Sequence, residues 1–257
     1  MKKDYEETSF EVGGNRVSIF KLGSTQRKTS FSVDPYQYFL VSLKKNESII
    51  IDDLSSFSVV LPDQSGDVAI RVNESLILQP KMSLQVENSI AKLTAVNDDC
   101  KILVSGVQKK HQNASSIIIK ERDEIKRVVK PWGYELWISG EHPSYVFKEI
   151  FIKKGTRTSL QYHEYKSETN LLYQGEANLH YKKKNLGEKR FENNDIEALH
   201  LKAMASIDVE PLTIHRLEAV TDILLFEVST PQIDDVIRIQ DDMNRSDGRI
   251  LQEHGNV

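Results

Sequence analysis

From end to end the chain alternates short apolar runs with polar punctuation. The runs are "YQYFLVSL", "SIIIDDL", "FSVVL", "VAIRV", "SLILQ" and "KILVSGV" in the first part. Later come "YELWIS", "VFKEIFI", "LLYQGEANLHY", "SIDVE" and "DILLFEVST". They are rich in Val, Ile, Leu, Phe and Tyr, and Gly, Asn, Asp, Pro or Ser separate them, which is strand and turn chemistry. No long stretch carries a 3.6-residue period, so the pattern predicts strands rather than helices. Short strands at regular spacing predict an all-β barrel or sandwich.

An internal repeat divides this pattern in two. "ESLILQPKMSLQVE" (Glu74–Glu87) aligns without gaps on "ASIDVEPLTIHRLE" (Ala205–Glu218). Ser75, Pro80 and Glu87 match Ser206, Pro211 and Glu218, and Leu76, Leu78 and Val86 meet Ile207, Val209 and Leu217. A repeat of this kind implies two similar β-barrels. The polar stretch "KKHQNASS" reads as the connection. The expected division is residues 1–110 as one barrel, 111–128 as a linker and 129–257 as the second barrel.

The halves differ in chemistry. All seven histidines lie at or beyond His111, and the repeat position of His215 is Leu84 in the first copy. The N-terminal half is therefore expected to be a barrel without metal ligands, serving packing, dimerisation or the shaping of its neighbour's pocket.

Composition narrows the class. Of 257 residues, 39% are apolar and 28% charged, with a net charge of −4 spread in both signs, as in a soluble globular protein. No dense basic face appears, so nucleic acid is not an expected partner. No run approaches a membrane span and the first residues lack an apolar leader core, so no membrane association is expected. The single cysteine, Cys100, excludes an internal disulfide and fits a reducing, cytoplasmic setting.

The candidate chemistry sits in "GTRTSLQYHEYKSETNLLYQG" (Gly155–Gly175). Gln161 and His163 are two apart, so on a strand they share a face, with Ser159 beside them. Glu168 follows a turn and opens the next apolar run. His215 comes from the distant repeat. One amide oxygen, two imidazoles and one carboxylate form a mixed N/O set suited to Zn²⁺ or a related divalent ion such as Mn, Ni or Fe. The competing reading is a polar strand with a satisfied core histidine.

These residues resemble a known pattern. Gly155, five residues, Gln161-x-His163, four residues, Glu168, six residues and Gly175 resemble the first motif of the cupin superfamily, with Gln in place of its first His. "PLTIHRLE" resembles the second motif, which carries the last His. The resemblance is closer still to the mannose-6-phosphate isomerase domain of the bifunctional isomerase/guanylyltransferases. "KPWGYELW" (Lys130–Trp137), Gly155-x-Arg157-x-Ser159-Leu160-Gln161-x-His163 and "DDVIRIQDD" (Asp234–Asp242) carry it, over about Lys130 to Arg245. It implies a bicupin, two jelly-roll barrels in one chain, with a metal held by Gln161, His163, Glu168 and His215. It also implies a sugar or sugar phosphate as the small-molecule partner, with a homodimer as the assembly to look for. This chain departs from the family at Glu164, Tyr165 and Lys166, where a His-rich run stands, and at Thr169 and Asn170, where an aromatic stands.

An aldose–ketose isomerase needs a cation to polarise the oxygens of an enediol-like intermediate, a base near carbon, and a clamp for a phosphate. Lys148, Glu135 and His180 are the candidate bases. Arg157, Lys166 and Arg238 are the candidate clamp, although Arg238 has a structural alternative as partner of Asp234 or Asp241. Trp132 is expected to pack at the barrel end, with Lys130 and Tyr134 at the cavity edge. The stretch "HYKKKNLGEKR" (His180–Arg190) reads as a hairpin with a solvated tip. The rival functions are a nucleotide-sugar epimerase working without metal, an oxygenase on the same barrel, and a non-catalytic sugar-binding bicupin.

Overall fold

The computed structural model describes residues 6–12, 15–24, 36–108, 114–183, 196–250 and 253. They form a nearly all-β molecule. The first strands are β1 (Glu6–Val12), β2 (Asn15–Ser24), β3 (Tyr36–Leu43), β4 (Ser48–Ile51) and β5 (Ser56–Val60). They continue as β6 (Ile70–Val72), β7 (Leu76–Leu78), β8 (Ser83–Glu87), β9 (Ala91–Ala95), β10 (Cys100–Val107) and β11 (Ser116–Lys120). Next come β12 (Arg127–Lys130), β13 (Gly133–Trp137), β14 (Val146–Ile152), β15 (Leu160–Tyr162), β16 (Glu168–Gln174) and β17 (Glu176–Lys183). The last are β18 (Glu197–Lys202), β19 (Ala205–Val209), β20 (Thr213–Ala219), β21 (Ile223–Ser229) and β22 (Ile237–Gln240).

The chain divides into two compact units. The N-terminal unit runs to Lys126 and also takes in Ile138–Phe147; the C-terminal unit holds Arg127–Trp137 and the chain from Lys148 onward. Each unit pairs two antiparallel sheets. In the first they are β1-β2-β3-β10-β5-β8-β11 and β4-β9-β6-β7; in the second, β12-β13-β14-β21-β16-β19 and β18-β17-β20-β15-β22.

This corrects the expected boundaries in two ways. Residues 111–128 are not a linker throughout: β11 pairs with β8 along its whole length, Ser116 opposite Glu87 to Lys120 opposite Ser83. "SIIIK" is β-branched and half buried, and a strand of that kind joins a ladder rather than crossing solvent. Second, Ile138–Phe147 belong to the N-terminal unit, where the Tyr145 hydroxyl lies 2.9 Å from that of Ser58. That unit therefore does contain an imidazole, His142, with Nε2 3.3 Å from Glu87.

The repeat is present in three dimensions. β7 and β8 meet at a turn holding Pro80 and Lys81; β19 and β20 meet at one holding Pro211 and Leu212. Lys81 has φ +73° and Leu212 φ +63°, so the residue after each proline turns left-handed. The motif glycines follow backbone need as well. Gly155 has φ +75°, and Gly175 has φ +86° with the Asp222 carbonyl 2.3 Å from where a Cβ would stand.

The interiors differ. Strands of the N-terminal unit alternate inward and outward residues, as in β9, where Ala91, Leu93 and Ala95 are buried between Lys92 and Thr94. Their inward residues, including Val41, Ile49, Phe57, Ile70, Leu84 and Leu93, make one apolar core. In the C-terminal unit the apolar core, from Trp132, Ile150, Leu172, Leu179, Leu201 and Leu217 among others, leaves space for a cavity lined by charged residues. Trp132 packs in that core, as expected. β17 and β18 form the expected hairpin; its tip lies outside the described residues.

Candidate metal centre

Gln161 sits on β15, opposite His215 on β20 and opposite Arg238 on β22. Gln161, His215 and Arg238 all line the cavity. His163 follows β15 directly, and Glu168 begins β16, in the other sheet. The five-residue step between them carries the chain from one sheet to the next.

One residue shapes that step. The Asp235 carboxylate accepts the backbone N–H groups of Glu164 (2.9 Å), Tyr165 (2.6 Å) and Lys166 (2.8 Å). Its carbonyl accepts the Nδ1–H of His163. The backbone N–H of Leu212 donates to the His163 carbonyl at 2.7 Å, which ties the Pro211–Leu212 turn to the same place.

Three of the ten predicted site residues come together at one point. Nε2 of His163 is 3.2 Å from Oε1 of Glu168, and Nε2 of His215 is 3.8 Å from Oε2. The ligand atoms of His163, Glu168 and His215 lie within 4.8 Å of one another, and all three residues are buried. Gln161 lines the cavity, and its amide oxygen accepts the Ser159 hydroxyl at 2.6 Å.

The protonation pattern follows from the hydrogen bonds. His163 donates from Nδ1 to Asp235, and His215 donates from Nδ1 to the Thr213 carbonyl at 2.9 Å. A carbonyl only accepts, so each Nδ1 carries the proton. Burial pulls the His215 pKa down to about 4 despite the attraction of Glu168, so that ring is neutral at pH 7 and Nε2 presents a lone pair. Nε2 of His163 is buried and without a hydrogen-bond partner. Burial pushes the Glu168 carboxyl up, but Lys166, His163 and His215 together hold it well below the usual range. The Nε2 atoms of both rings therefore face the Glu168 carboxylate. Two imidazole nitrogens and a carboxylate oxygen are the donor types that a first-row divalent ion takes. Ligand atoms about 2.0–2.2 Å from a first-row divalent ion fit this spacing after a small adjustment. The donor set fits the metal.

The remaining predicted residues divide. Glu135 and Lys148 line the cavity, 3.2 Å apart. Burial pushes Glu135 up, yet Lys148, Lys130 and the Trp137 indole N–H hold it at about 2. Lys166 lines the cavity too, but it lies between Glu168 Oε1 (2.5 Å) and Glu227 Oε1 (3.1 Å). Arg238 lines the cavity and donates to the carbonyls of Ser246 and Gly248, a structural role with other partners than those expected: Arg249 takes Asp234 at 3.1 Å and Arg245 takes Asp241 at 2.6 Å.

Two residues do not reach the cavity. His180 lies on β17 and pairs with Glu218 at 3.0 Å, half exposed. Its imidazole has its partner on the neighbouring strand β20, away from the ligand set. Arg157 forks onto Asp242 (2.7 and 3.1 Å) in a separate depression with Pro131, Gly155 and Met243. An exposed arginine beside a carboxylate takes that bidentate partner first.

Sequence reasoning did not single out Asp235 or Glu227, and named Asn170 only as a departure from the family pattern. Glu227 had a signal, a lone carboxylate inside the apolar run "DILLFEVST". Such a residue at an inward strand position must have a charged partner. Asn170, the departure from the family's aromatic, donates to Glu168 Oε2 at 3.3 Å.

Comparison with solved structures supports the fold. The chain is similar to Lactobacillus farciminis oxalate decarboxylase in a formate complex, with TM-score 0.62 and 11% identity over 92% of this chain and 86% of that one. It is similar to Bacillus subtilis oxalate decarboxylase in a study of its Mn(II) centers, with TM-score 0.55 and 12% identity over 91% and 78%. It also resembles Streptomyces albus HEPD with 2-hydroxyethylphosphonate and Fe(II) bound, with TM-score 0.57 and 8% identity over 87% and 73%. No family model matches the sequence, and no curated protein matches it significantly. The likeness is one of fold: two cupin-like jelly-roll barrels in one chain. Among the described residues, no helix is long and apolar enough to cross a membrane.

Proposed function

We propose that the C-terminal barrel binds one divalent metal through His163, Glu168 and His215, with Gln161 as a fourth ligand, and that it isomerises a sugar or sugar phosphate. The observation that carries the metal is the buried cluster of His163, Glu168 and His215, whose ligand atoms lie within 4.8 Å of one another. The Mn(II) of the oxalate decarboxylase and the Fe(II) of HEPD lend support on the same fold. Zn²⁺ is the first ion to test and Mn²⁺, Fe²⁺ and Ni²⁺ follow.

When bound, the metal supplies a Lewis acid for adjacent carbonyl and hydroxyl oxygens. The chain's own residues do the rest. Glu135 is a carboxylate across the working range and is the base; Lys148 at 3.2 Å balances its charge and offers a proton to oxygen. A carboxylate held at about 2 is a weak base, so substrate must draw Lys148 away before Glu135 takes a proton from carbon. Arg238 lines the cavity and is the cation offered to a phosphate. The sugar partner, a homodimer and a cytoplasmic setting are parts of the same proposal.

A second reading has one observation behind it. The Lys166 ammonium already gives Glu168 a cation, which suits a metal-free epimerase or a sugar-binding bicupin. The test is metal analysis of protein purified from metal-replete cells, then a screen of hexoses and hexose phosphates with and without chelator. Stoichiometric metal and chelator-sensitive isomerisation support the isomerase. Metal-free protein that turns over or binds a sugar overturns it in favour of the second reading.

A further inference from the structure

We propose that Lys166 is a built-in competitor of the metal: its ammonium sits on the Glu168 oxygen that a metal would take, and it shifts fully onto Glu227 when metal enters. The inference rests on the metal reading above.

The contacts are specific. Lys166 is buried, with Nζ 2.5 Å from Glu168 Oε1 and 3.1 Å from Glu227 Oε1. Nε2 of His163 approaches the same Glu168 oxygen at 3.2 Å. An ammonium and a divalent cation on one buried oxygen repel strongly, so they exclude each other. The backbone of Lys166 is fixed by Asp235, so the side chain must do the moving. It has somewhere to go. Glu227 is already in contact, and its other cation, Lys148, stands off at 3.9 Å because it belongs to Glu135 at 3.2 Å. Metal entry then costs one of two contacts and leaves no buried charge alone. The consequence is a site whose metal affinity is set by a lysine rather than by its ligands alone.

Titration calorimetry with Zn²⁺ and with Mn²⁺ tests this on the full chain. Lys166→Met removes the competitor and should tighten binding about tenfold or more, while Lys166→Arg keeps the charge and should bind near the wild-type affinity. Glu227→Gln removes the alternative seat and should weaken binding in the wild-type background but not beside Lys166→Met. If the wild type binds and Lys166→Met binds no tighter, the competition falls and the metal reading stands. If Glu227→Gln binds like the wild type, the handover falls and the proposal with it. If no variant binds either ion, both fall. Should Lys166→Met fail to fold, the Lys166→Arg and Glu227→Gln affinities still decide.

Discussion

The two barrels share a turn and differ in what fills them. Pro80–Lys81 and Pro211–Leu212 place equivalent strands, and both second residues are left-handed. Four positions past each proline stand Leu84 and His215. Leu84 is fully buried in hydrocarbon. His215 faces a belt in which charges alternate: Glu253 and Glu135 flank Lys130 at 2.8 and 3.6 Å, Glu135 and Glu227 flank Lys148, and Glu227 and Glu168 flank Lys166. The fold is therefore fixed by turns and short apolar strands, which both barrels keep. The interior accepts hydrocarbon or charge, provided that the charges come in alternating sign.

The largest effect should come from putting a charge in the wrong barrel. Leu84→Glu buries a carboxylate with no cation on its side of the core, and a loss of more than about 4 kcal/mol is expected, enough to unfold that unit. Both tryptophans, Trp132 and Trp137, lie in the C-terminal unit, so fluorescence follows that unit and far-UV dichroism follows both. Dichroism should fall while fluorescence persists. A variant with native dichroism would show that the N-terminal interior is not the closed apolar core described. The converse change, Glu135→Leu, strands Lys148 on the 3.9 Å contact to Glu227 and should cost roughly 3–5 kcal/mol in the fluorescence transition. Adding Lys148→Met should recover much of that loss. Simple additivity would break the idea of an alternating chain.

Metal and acid should act on one barrel alone. A chelator should lower the fluorescence transition of metal-loaded protein by about 2.7 kcal/mol when the ion had been at a hundredfold excess over Kd. His163→Ala should remove that response. An equal response in the mutant would return His163 to the status of a core histidine. Acid has a definite sign. The folded pKa of His215, about 4, lies below the ordinary 6.5, so the native state binds fewer protons than the unfolded chain between these values. Its stabilisation is complete above pH 6.5 and lost as pH falls toward 4, by roughly 2–3 kcal/mol. Glu135, depressed from 4.5 to about 2, extends the loss over that lower window. A fluorescence transition flat from pH 7 to 4 would contradict a neutral buried His215.

Much of this was legible. Short runs of Val, Ile, Leu, Phe and Tyr between turn residues gave the strands, because each run fits one strand and each turn residue ends it. The cluster of His163, Glu168 and His215 was legible because the Gly155–Gly175 stretch and "PLTIHRLE" resemble two motifs that a single site draws on. The strand "SIIIK" was hidden by the polar residues before it, and its pairing with β8 depends on a ladder that no local pattern reports. His180 was misplaced because a strand position gives a face but not which side of the sheet holds the cavity. Asp235 was out of reach for a different reason: its role is to collect N–H groups some 70 residues away in the chain, at Glu164, Tyr165 and Lys166.

The smallest expected effect tests the shared turn itself. A left-handed residue with a Cβ is strained by roughly 1–2 kcal/mol, and glycine relieves that strain at an entropic cost of roughly 0.5–1 kcal/mol. At Lys81 little else is lost. The side chain is exposed, and its ion pair with Asp63 (2.9 Å, both partners more than half exposed) is worth little. Lys81→Gly should therefore stabilise the N-terminal unit by about 0.5–1 kcal/mol. At Leu212 the same backbone relief is offset by the half-buried side chain that goes with it, and Leu212→Gly should be near neutral in the fluorescence transition. Urea titrations of both variants, read by dichroism and fluorescence, separate the two. If Lys81→Gly destabilises, the turn is not strained there, and the likeness of the two barrels does not extend to the backbone of their second repeat strand. If both behave as expected, the turns are physically one device. The difference between a dry barrel and a charged one then traces to the residues that follow it, Leu84 and His215.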